Sequence, residues 1–502
     1  MKRILTVLLI ACVFIMPIEA KERSQELIAT ITTDSSQGEL IQIYIKTSFP
    51  GDFVFEFGEN NSVDLNTPGL NLYFGGSKYM GNGGVIKIYG DYTNVTGLKM
   101  ESSKVTDLDL SKLTQIDEIL LTHERSLKEI DLSHQSLLTN VSIESGGLES
   151  INFGSVSKIE TLNLYNNKLK SLDVSNLTEL TSLNVKVNEL ESLDLSNNTN
   201  ITSLLLSDNS LKSIDLSPFD KLNTLELSNL GLTEIDLSGK NTLRSLDVSK
   251  NELTSINVFP CPNLNQLNCS GNKLEKLDLS RSSVLTSIMC NNNQIEEISL
   301  SSLLGALAGF NCSNNRLTFA NLPLPRSNWS AYTYFPQAMI EVPEEADMID
   351  LSSQYNINGK ITEYTFFTEF FDELVEGVDY MMNEGVFTFL KDQEEKVYCE
   401  MNNASFPMNI VSMRLRTNYF MPKAGTSIDN NEDRPVISIE DRMIKVEGTP
   451  GIKVVVYDIY GRLVNKSKFG SGVGKISISS NGVFILKVIE NKKAFSQKII
   501  IN

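Results

Sequence analysis

A 21-residue pattern recurs from residue 95 to residue 317, and it limits what this chain can fold into more than any other feature. In the copy Leu180-Thr-Ser-Leu183-Asn-Val185-Lys-Val-Asn188-Glu-Leu190-Glu-Ser-Leu193-Asp-Leu195-Ser, apolar residues fall at offsets 0, 3, 5, 10, 13 and 15 and Asn at offset 8. Eleven copies open at Val95, Ile116, Leu138, Ile159, Leu180, Ile201, Leu222, Leu243, Leu264, Leu285 and Leu307, in steps of 21 except for two of 22. A unit this short cannot enclose a core, so each must bury its apolar offsets against its neighbours, which makes a solenoid. Offsets 3 to 5 are expected to form a parallel strand, with all six apolar offsets turned inward.

Two polar rows accompany the apolar ones. Asn167, Asn188, Asn209, Asn251, Asn272, Asn293 and Asn315 stand at offset 8, where Leu230 is the one later break and Ser103, Glu124 and Gly146 precede them. An amide both donates and accepts, so this row is read as structural, serving turn groups that no strand reaches; the first three coils are expected to be looser. Asp109, Asp131, Asp173, Asp194, Asp215, Asp236 and Asp278 form the second row, each followed two residues later by Ser. Carboxylates stacked about 5 Å apart repel by on the order of 1 kcal/mol per neighbour even when solvated, so something must offset the row. Hydrogen bonds from the backbone N–H of the next turn would do so, and Ca²⁺ is the sharper alternative.

Charge and cysteine content narrow the function class. The net charge of −18 argues against nucleic acid as a partner. Residues 435–502 carry 11 Lys and Arg against 5 Asp and Glu, a net of +6, and residues 1–20 a net of +1, which leaves −25 between them. Residues 1–20 read as a secretory signal: Lys2-Arg3, an apolar run from Ile4 to Ile15, and Ala20 at the end. Leu9-Ile-Ala-Cys12 offers an alternative, a lipoprotein cleavage site that would leave Cys12 acylated. Cys269, Cys290 and Cys312 fall at offset 5 of successive repeats, where buried free thiols are expected. Parallel side chains do not face one another as a disulfide needs, and three thiols in a line do not make the tetrahedron of a soft-metal site.

The copy Leu264-Asn-Gln-Leu267-Asn-Cys269-Ser-Gly-Asn272-Lys-Leu274-Glu-Lys-Leu277-Asp-Leu279-Ser closely resembles the leucine-rich repeats of bacterial internalins, in particular the internalin-J-like group with its LxxLxCxxNxLxxLDLS form. The resemblance covers residues 95–317 and implies a mainly β leucine-rich-repeat solenoid of a surface protein engaged in adhesion. Residues 21–94 are expected to be a β-rich N-terminal cap, with Val85-Ile-Lys-Ile-Tyr-Gly as the second half of a degenerate repeat. Residues 318–420 are expected to be a C-terminal β cap, and Val397-Tyr-Cys-Glu-Met-Asn-Asn-Ala-Ser-Phe-Pro looks like the domain that follows such repeats in other Bacteroidetes surface proteins. Residues 421–435 read as a polar linker and 436–502 as a β-sandwich module. Its Tyr457–Gly461-Arg462 hairpin, Gly482-Val-Phe strand and terminal Lys498-Ile-Ile-Ile-Asn resemble the C-terminal sorting domain of the type IX secretion system of Bacteroidetes, with Asn481 where that family often has Pro. That resemblance implies contact with the secretion machinery, export across the outer membrane, removal of the module, and a protein on the cell surface or released.

Catalytic signatures are missing. The two histidines, His123 and His134, lie at offsets 7 and 18 of one coil and fit no metal spacing; no Gly-x-Ser-x-Gly elbow occurs, and Gly470-Ser-Gly-Val-Gly-Lys475 lacks Walker A spacing. The chain is therefore read as a non-enzyme without a cofactor or metal. The ligand face is expected on the strand side at offsets 2, 4, 6 and 7, with Leu120, His123, Tyr165, Lys186, Leu205, Glu226, Asp247 and Met289 as its candidate contacts. A protein partner on a host or bacterial surface, in biofilm formation or host attachment, is the first reading. A glycan served by the Asn and Ser rows is the second, and a hydrolase with an unrecognised carboxylate pair the third.

Overall fold

The computed structural model describes residues 26–424 and 436–501, apart from 60, 80–81, 306, 407–413, 441, 448–450, 459–461, 472 and 491–492. The signal segment with Cys12, most of the linker and the tip of the Tyr457–Arg462 hairpin lie outside the described residues. Two compact units divide the chain at Pro218/Phe219. Both are built from strands, and the helical residues among those described are two single 3-10 turns. The protein is a mainly β leucine-rich-repeat solenoid with β-rich segments on either side of the repeats and a C-terminal sandwich.

The first unit opens with six antiparallel strands: β1 Glu26–Thr33, β2 Leu40–Thr47, β3 Pro50–Glu59, β4 Ser62–Pro68, β5 Leu72–Tyr79 and β6 Asn82–Gly90. In β2 the alternation is strict, with Ile41, Ile43 and Ile45 fully buried and Gln42, Tyr44 and Lys46 turned out. The first coil supplies β7 Val95–Glu101 and β8 Val105–Asp109. Strand β2 pairs antiparallel with β7, and β1 with β8, so the two edges that an uncovered coil would expose are both taken up. The segment Val85–Gly90 is not half a repeat, as expected above, but part of β6, which runs antiparallel between β3 and β1. Its alternation reads as either, and only the pairing decides.

Beyond β7 the coils pair in parallel through Glu118–Thr122, Asn140–Glu144, Thr161–Asn163, Ser182–Asn184 and Ser203–Leu205. The regular strands occupy offsets 2 to 4, one residue earlier than expected, because the corner begins right after offset 5. In the second unit Thr224–Glu226, Ser245–Asp247, Gln266–Asn268, Ser287–Met289 and Gly309–Asn311 repeat the ladder, and Tyr332–Thr333 adds a further parallel rung.

The Asn row joins coil to coil. Asn188 Nδ2 donates to Val185 O of its own coil (3.0 Å) and to Leu164 O of the preceding one (2.9 Å), while its Oδ1 accepts the Leu169 N–H (3.1 Å). Asn167, Asn209, Asn251, Asn272, Asn293 and Asn315 repeat the scheme. The early coils are not uniformly loose: Glu124, 1% exposed, accepts the Ser103 and Val105 N–H groups (2.9 and 3.0 Å) where an Asn would stand. Burial pushes its carboxyl up, against the pull of those two bonds. After the last repeat, Gln337 takes the Asn role, with Nε2 on Cys312 O (2.9 Å) and Oε1 accepting from Leu317 N–H (3.1 Å).

The Asp row is offset by the bland route. The backbone N–H of Ser111, Ser133, Ser175, Ser196, Ser217, Ser238 and Ser280 each donates to the Asp two residues earlier, at 2.8–3.0 Å. Bonds from the Ser hydroxyl, then from its N–H, hold the carboxyls of Asp109, Asp173, Asp236 and Asp278 below the usual range; for Asp131 and Asp194 the N–H is the larger cause.

The inward pattern needs one change. Ile151, Leu172, Leu193 and Ile214 at offset 13 are only half-buried, whereas the residue three places before the next repeat opens is buried in each of the first ten coils: Leu113, Gln135, Val156, Leu177 and Asn198 in the first unit, Phe219, Lys240, Cys261, Ser282 and Leu304 in the second. This row escaped the sequence pattern because four of its ten members are polar. Lys240, 1% exposed, lays its stem in the core and donates from Nζ to Ser238 O (3.3 Å). Cys261, Cys269, Cys290 and Cys312 are free and buried, and burial pushes the Cys269 and Cys312 thiols up to about 12.

Past the ladder, Phe319 stacks on Phe406 (5.5 Å) and meets Phe335 edge-on (6.3 Å), seating a small β segment on the last coils. Glu363–Thr368 pairs with Val397–Asn402, and Val386–Phe389 with Tyr380–Asn383, around Phe366, Phe387, Phe389 and Phe420. Residues 436–501 fold as two antiparallel sheets, of three and four strands, over a core of Ile444, Val446, Val454, Val456, Ile476, Phe484, Leu486 and Val488.

Two measurements test these rows. Asn188→Ala leaves the Leu169 N–H without a partner and takes one of two amide donors from the Leu164 and Val185 carbonyls, and is expected to cost about 1–3 kcal/mol in urea unfolding. A loss below about 0.5 kcal/mol would contradict the stapling role. Carboxyls lowered in the folded state stabilise it above their unfolded value of about 3.9 and cease to do so as pH falls through the folded value. The row's share of the unfolding free energy is expected to be level between about pH 5 and pH 8 and to decline below about pH 4. Ser175→Ala with Ser238→Ala should make that decline shallower, and an unchanged acid limb would contradict it.

Candidate binding face

Side chains at offset 4 point away from the core and stand in register along each ladder. In the first unit the row runs Lys99, Leu120, Ser142, Asn163, Asn184, Leu205. Because β2 is antiparallel to β7, the row continues onto the preceding strand at Tyr44, which stands opposite Lys99 with the ammonium 5.5 Å from the ring centre. Tyr165 and Lys186 occupy offset 6 of adjacent coils, and Leu120, Tyr165, Lys186 and Leu205 are all half-buried. The structure therefore gathers one cation–aromatic pair, Leu120 and Leu205 on a single hydrogen-bonded sheet, with Tyr165 and Lys186 at the corner just beyond its strands.

Tyr44 was missed because the ladder count began at residue 95, although the outward alternation Gln42, Tyr44, Lys46 carried the signal. Beside it, Lys46 Nζ binds Asp117 (2.6 Å) and Glu118 (3.2 Å), and Glu118 also accepts from Tyr73 OH (2.8 Å) and Asn140 Nδ2 (2.7 Å). Burial would raise the Glu118 carboxyl, but the bonds from Tyr73 and Asn140 and the Lys46 charge overcome it and hold it low. This network is internally matched and ties the antiparallel strands to the first coils. Opposite Tyr44 stands Gly75, where a Cβ would lie 2.2 Å from Ile43 O.

Some offset-4 residues serve the backbone. Asn163 and Asn184 Oδ1 accept the N–H of Tyr165 and Lys186 (both 3.2 Å), ending the strand while fixing the backbone of those two residues. In the second unit Glu226 and Asp247 stand side by side, followed by Asn268, Met289 and Asn311. Asp247 accepts from Ser249 N–H (2.9 Å) and from Asn268 Nδ2 (3.0 Å), so this candidate contact has a structural duty. Met289 is 46% exposed between two asparagines.

His123 lies at the corner edge of the strip, not on a strand. It stands at offset 7, where Ser102, His123, Ser145, Asn166, Val187, Asp208, Asn229, Lys250, Gly271, Asn292 and Asn314 all have φ between +52° and +67°. Every coil makes its corner with one left-handed residue, and His123 fills that place with its ring exposed. The frequent Asn, Asp and Gly were the available signal, since these tolerate positive φ. Among the described residues no group of three or more His, Cys, Asp or Glu is placed to hold a metal ion.

No protein-family model and no curated protein matches the chain. Among solved structures, it is similar to the functional domain of InlJ from Listeria monocytogenes, which includes a cysteine ladder, at 17% identity and a TM-score of 0.38, over 67% of this chain and 92% of that one. YopM from Yersinia enterocolitica is 20% identical with a TM-score of 0.39, over 49% of this chain and 57% of its own. A leucine-rich-repeat protein from Leptospira interrogans is 20% identical with a TM-score of 0.35, over 42% and 69%.

The corner row yields a test. Val187 is β-branched and holds φ at +56°, a conformation that costs an L side chain about 1–2 kcal/mol. Val187→Asn is expected to raise the unfolding free energy by about 1 kcal/mol. A destabilised variant would show that packing, not backbone conformation, dominates there.

Proposed function

We propose that this chain is an exported protein of the cell surface or the medium whose repeats bind a partner protein, as an adhesin in biofilm formation or host attachment. One observation carries the reading: Tyr44, Lys99, Leu120 and Leu205 share the outward side of one sheet fixed by in-register pairing, and Tyr165 and Lys186 stand at the corner just beyond its strands with their backbone held by Asn163 and Asn184. Aromatic, aliphatic and cationic groups on a pre-ordered surface are the chemistry of binding hot spots, and little ordering entropy is lost on association. Glycan recognition is less well supported, because Asn163, Asn184 and Asn268 already accept backbone N–H groups and so have less to offer hydroxyls. The Asp carboxylates are likewise held by the turns, which favours binding over hydrolysis.

Export rests on the signal-like residues 1–20 and on the likeness of residues 436–502 to type IX sorting domains. Leu120→Ser with Tyr165→Ala and Leu205→Ser is expected to lower attachment of expressing cells at least tenfold while leaving the unfolding midpoint of the purified protein nearly unchanged. Attachment equal to wild type would remove the strip from the reading. Deleting residues 436–502 is expected to hold the protein in the periplasm, and normal surface display would refute the export signal. A glycan array probed with the purified protein is expected to be blank.

A further inference from the structure

The second unit carries an apolar surface that the repeats do not explain. In the turn from Thr368 to Asp379, Phe370 and Phe371 are 67% and 74% exposed, and Val375 and Val378 more than half exposed. This turn is held firmly. Thr368 Oγ1 accepts the N–H of both Phe370 and Asp372 (3.2 Å each), Leu374 is buried with its N–H on Phe366 O (2.9 Å), and the buried Asp379 accepts the Val375 N–H (2.7 Å) and an ion pair from Lys391 (2.6 Å). Phe371 is kept at φ +70°, a conformation that costs a bulky side chain about 1–3 kcal/mol. A fold that spends such strain to present two phenylalanines to solvent is holding a contact surface.

The rim of that surface selects its partner. Glu369, Asp372, Glu373 and Glu376 are all exposed, and no Lys or Arg occurs from 369 to 378. The matching surface is an apolar and cationic one, and the chain supplies it. Residues 435–502 are net positive within an otherwise acidic sequence. Within them the strand Leu463–Phe469 is the outer strand of its sheet, pairing with Ile452–Asp458 on one side. Leu463 and Val464 are 59% and 39% exposed, and Lys466 and Lys468, on the same side as Val464, are exposed too.

We propose that the acidic phenylalanine turn of one copy docks against the Leu463–Phe469 strand of a second copy. The phenylalanines and valines cover Val464, and the carboxylates meet Lys466 and Lys468 on the same side of the strand. The contact belongs to the chain that still carries residues 436–502 and is independent of what the repeats bind.

Sedimentation of that purified chain across a concentration series tests it. At about 50 mM salt the wild type is expected to self-associate, and at about 500 mM to weaken roughly tenfold or more. Phe370→Ser with Phe371→Ser should sediment as a monomer. Glu373→Lys with Glu376→Lys, and separately Lys466→Glu with Lys468→Glu, should each be monomeric alone, while an equimolar mixture of the two associates again. That restoration cannot come from misfolding. Monomeric wild type at about 100 µM, a mixture that stays monomeric, or a turn-to-strand cross-link whose yield is independent of concentration would each overturn the proposal; the last would place the contact within a single copy.

Discussion

Everything regular in this protein depends on one side chain that is neither apolar nor charged. The Asn at offset 8 gives its amide hydrogens to carbonyls of two successive coils and its oxygen to a backbone N–H of the return segment, inside the core and away from water. Parallel strands of three residues make few ladder bonds, and the corner after them would bury backbone groups with no partner. A buried polar group left unmatched costs about 1–3 kcal/mol, so a corner without the amide would undo much of what apolar stacking contributes. The substitutes make the same point: Glu124 and Gln337 reach the equivalent backbone groups with other chemistry.

The remaining rows follow from repetition. A corner in every coil calls for a left-handed residue, and the Asp–Ser pair closes the opposite turn, so offsets 7, 8 and 14 are fixed by backbone demands. Part of offset 4 is also committed, where Asn or Asp ends the strand. What is left to vary is narrow: a few outward positions in each coil, together with the strands and turns that flank the repeats. The two surfaces with binding chemistry lie there. One is the Tyr44–Leu205 strip and the other the Phe370–Phe371 turn.

Much of this architecture could be read from residue order. Period, strand side, the buried cysteines and the bonding of the Asp row all follow from local spacing, because a coil's neighbours are nearly copies of itself. Reading failed where identity and position parted company. The residue three places before each repeat opening is inward although Gln135, Asn198, Lys240 and Ser282 are polar, because its place in the coil, not its residue type, decides burial. That His123 makes a corner was not legible either, since φ is invisible in a side chain's name.

The sequence by itself determined a stacked array of 21-residue coils, since six apolar offsets per unit leave no other way to remove them from water. Tertiary structure alone decided what stands beside that pattern: that β2 runs antiparallel to the first coil and brings Tyr44 to Lys99, and that a turn in the flanking segment holds two phenylalanines outward. These are pairings between segments without a shared period. Register across them is set by which edges and cores remain to be covered, a condition that exists only once the coils have formed.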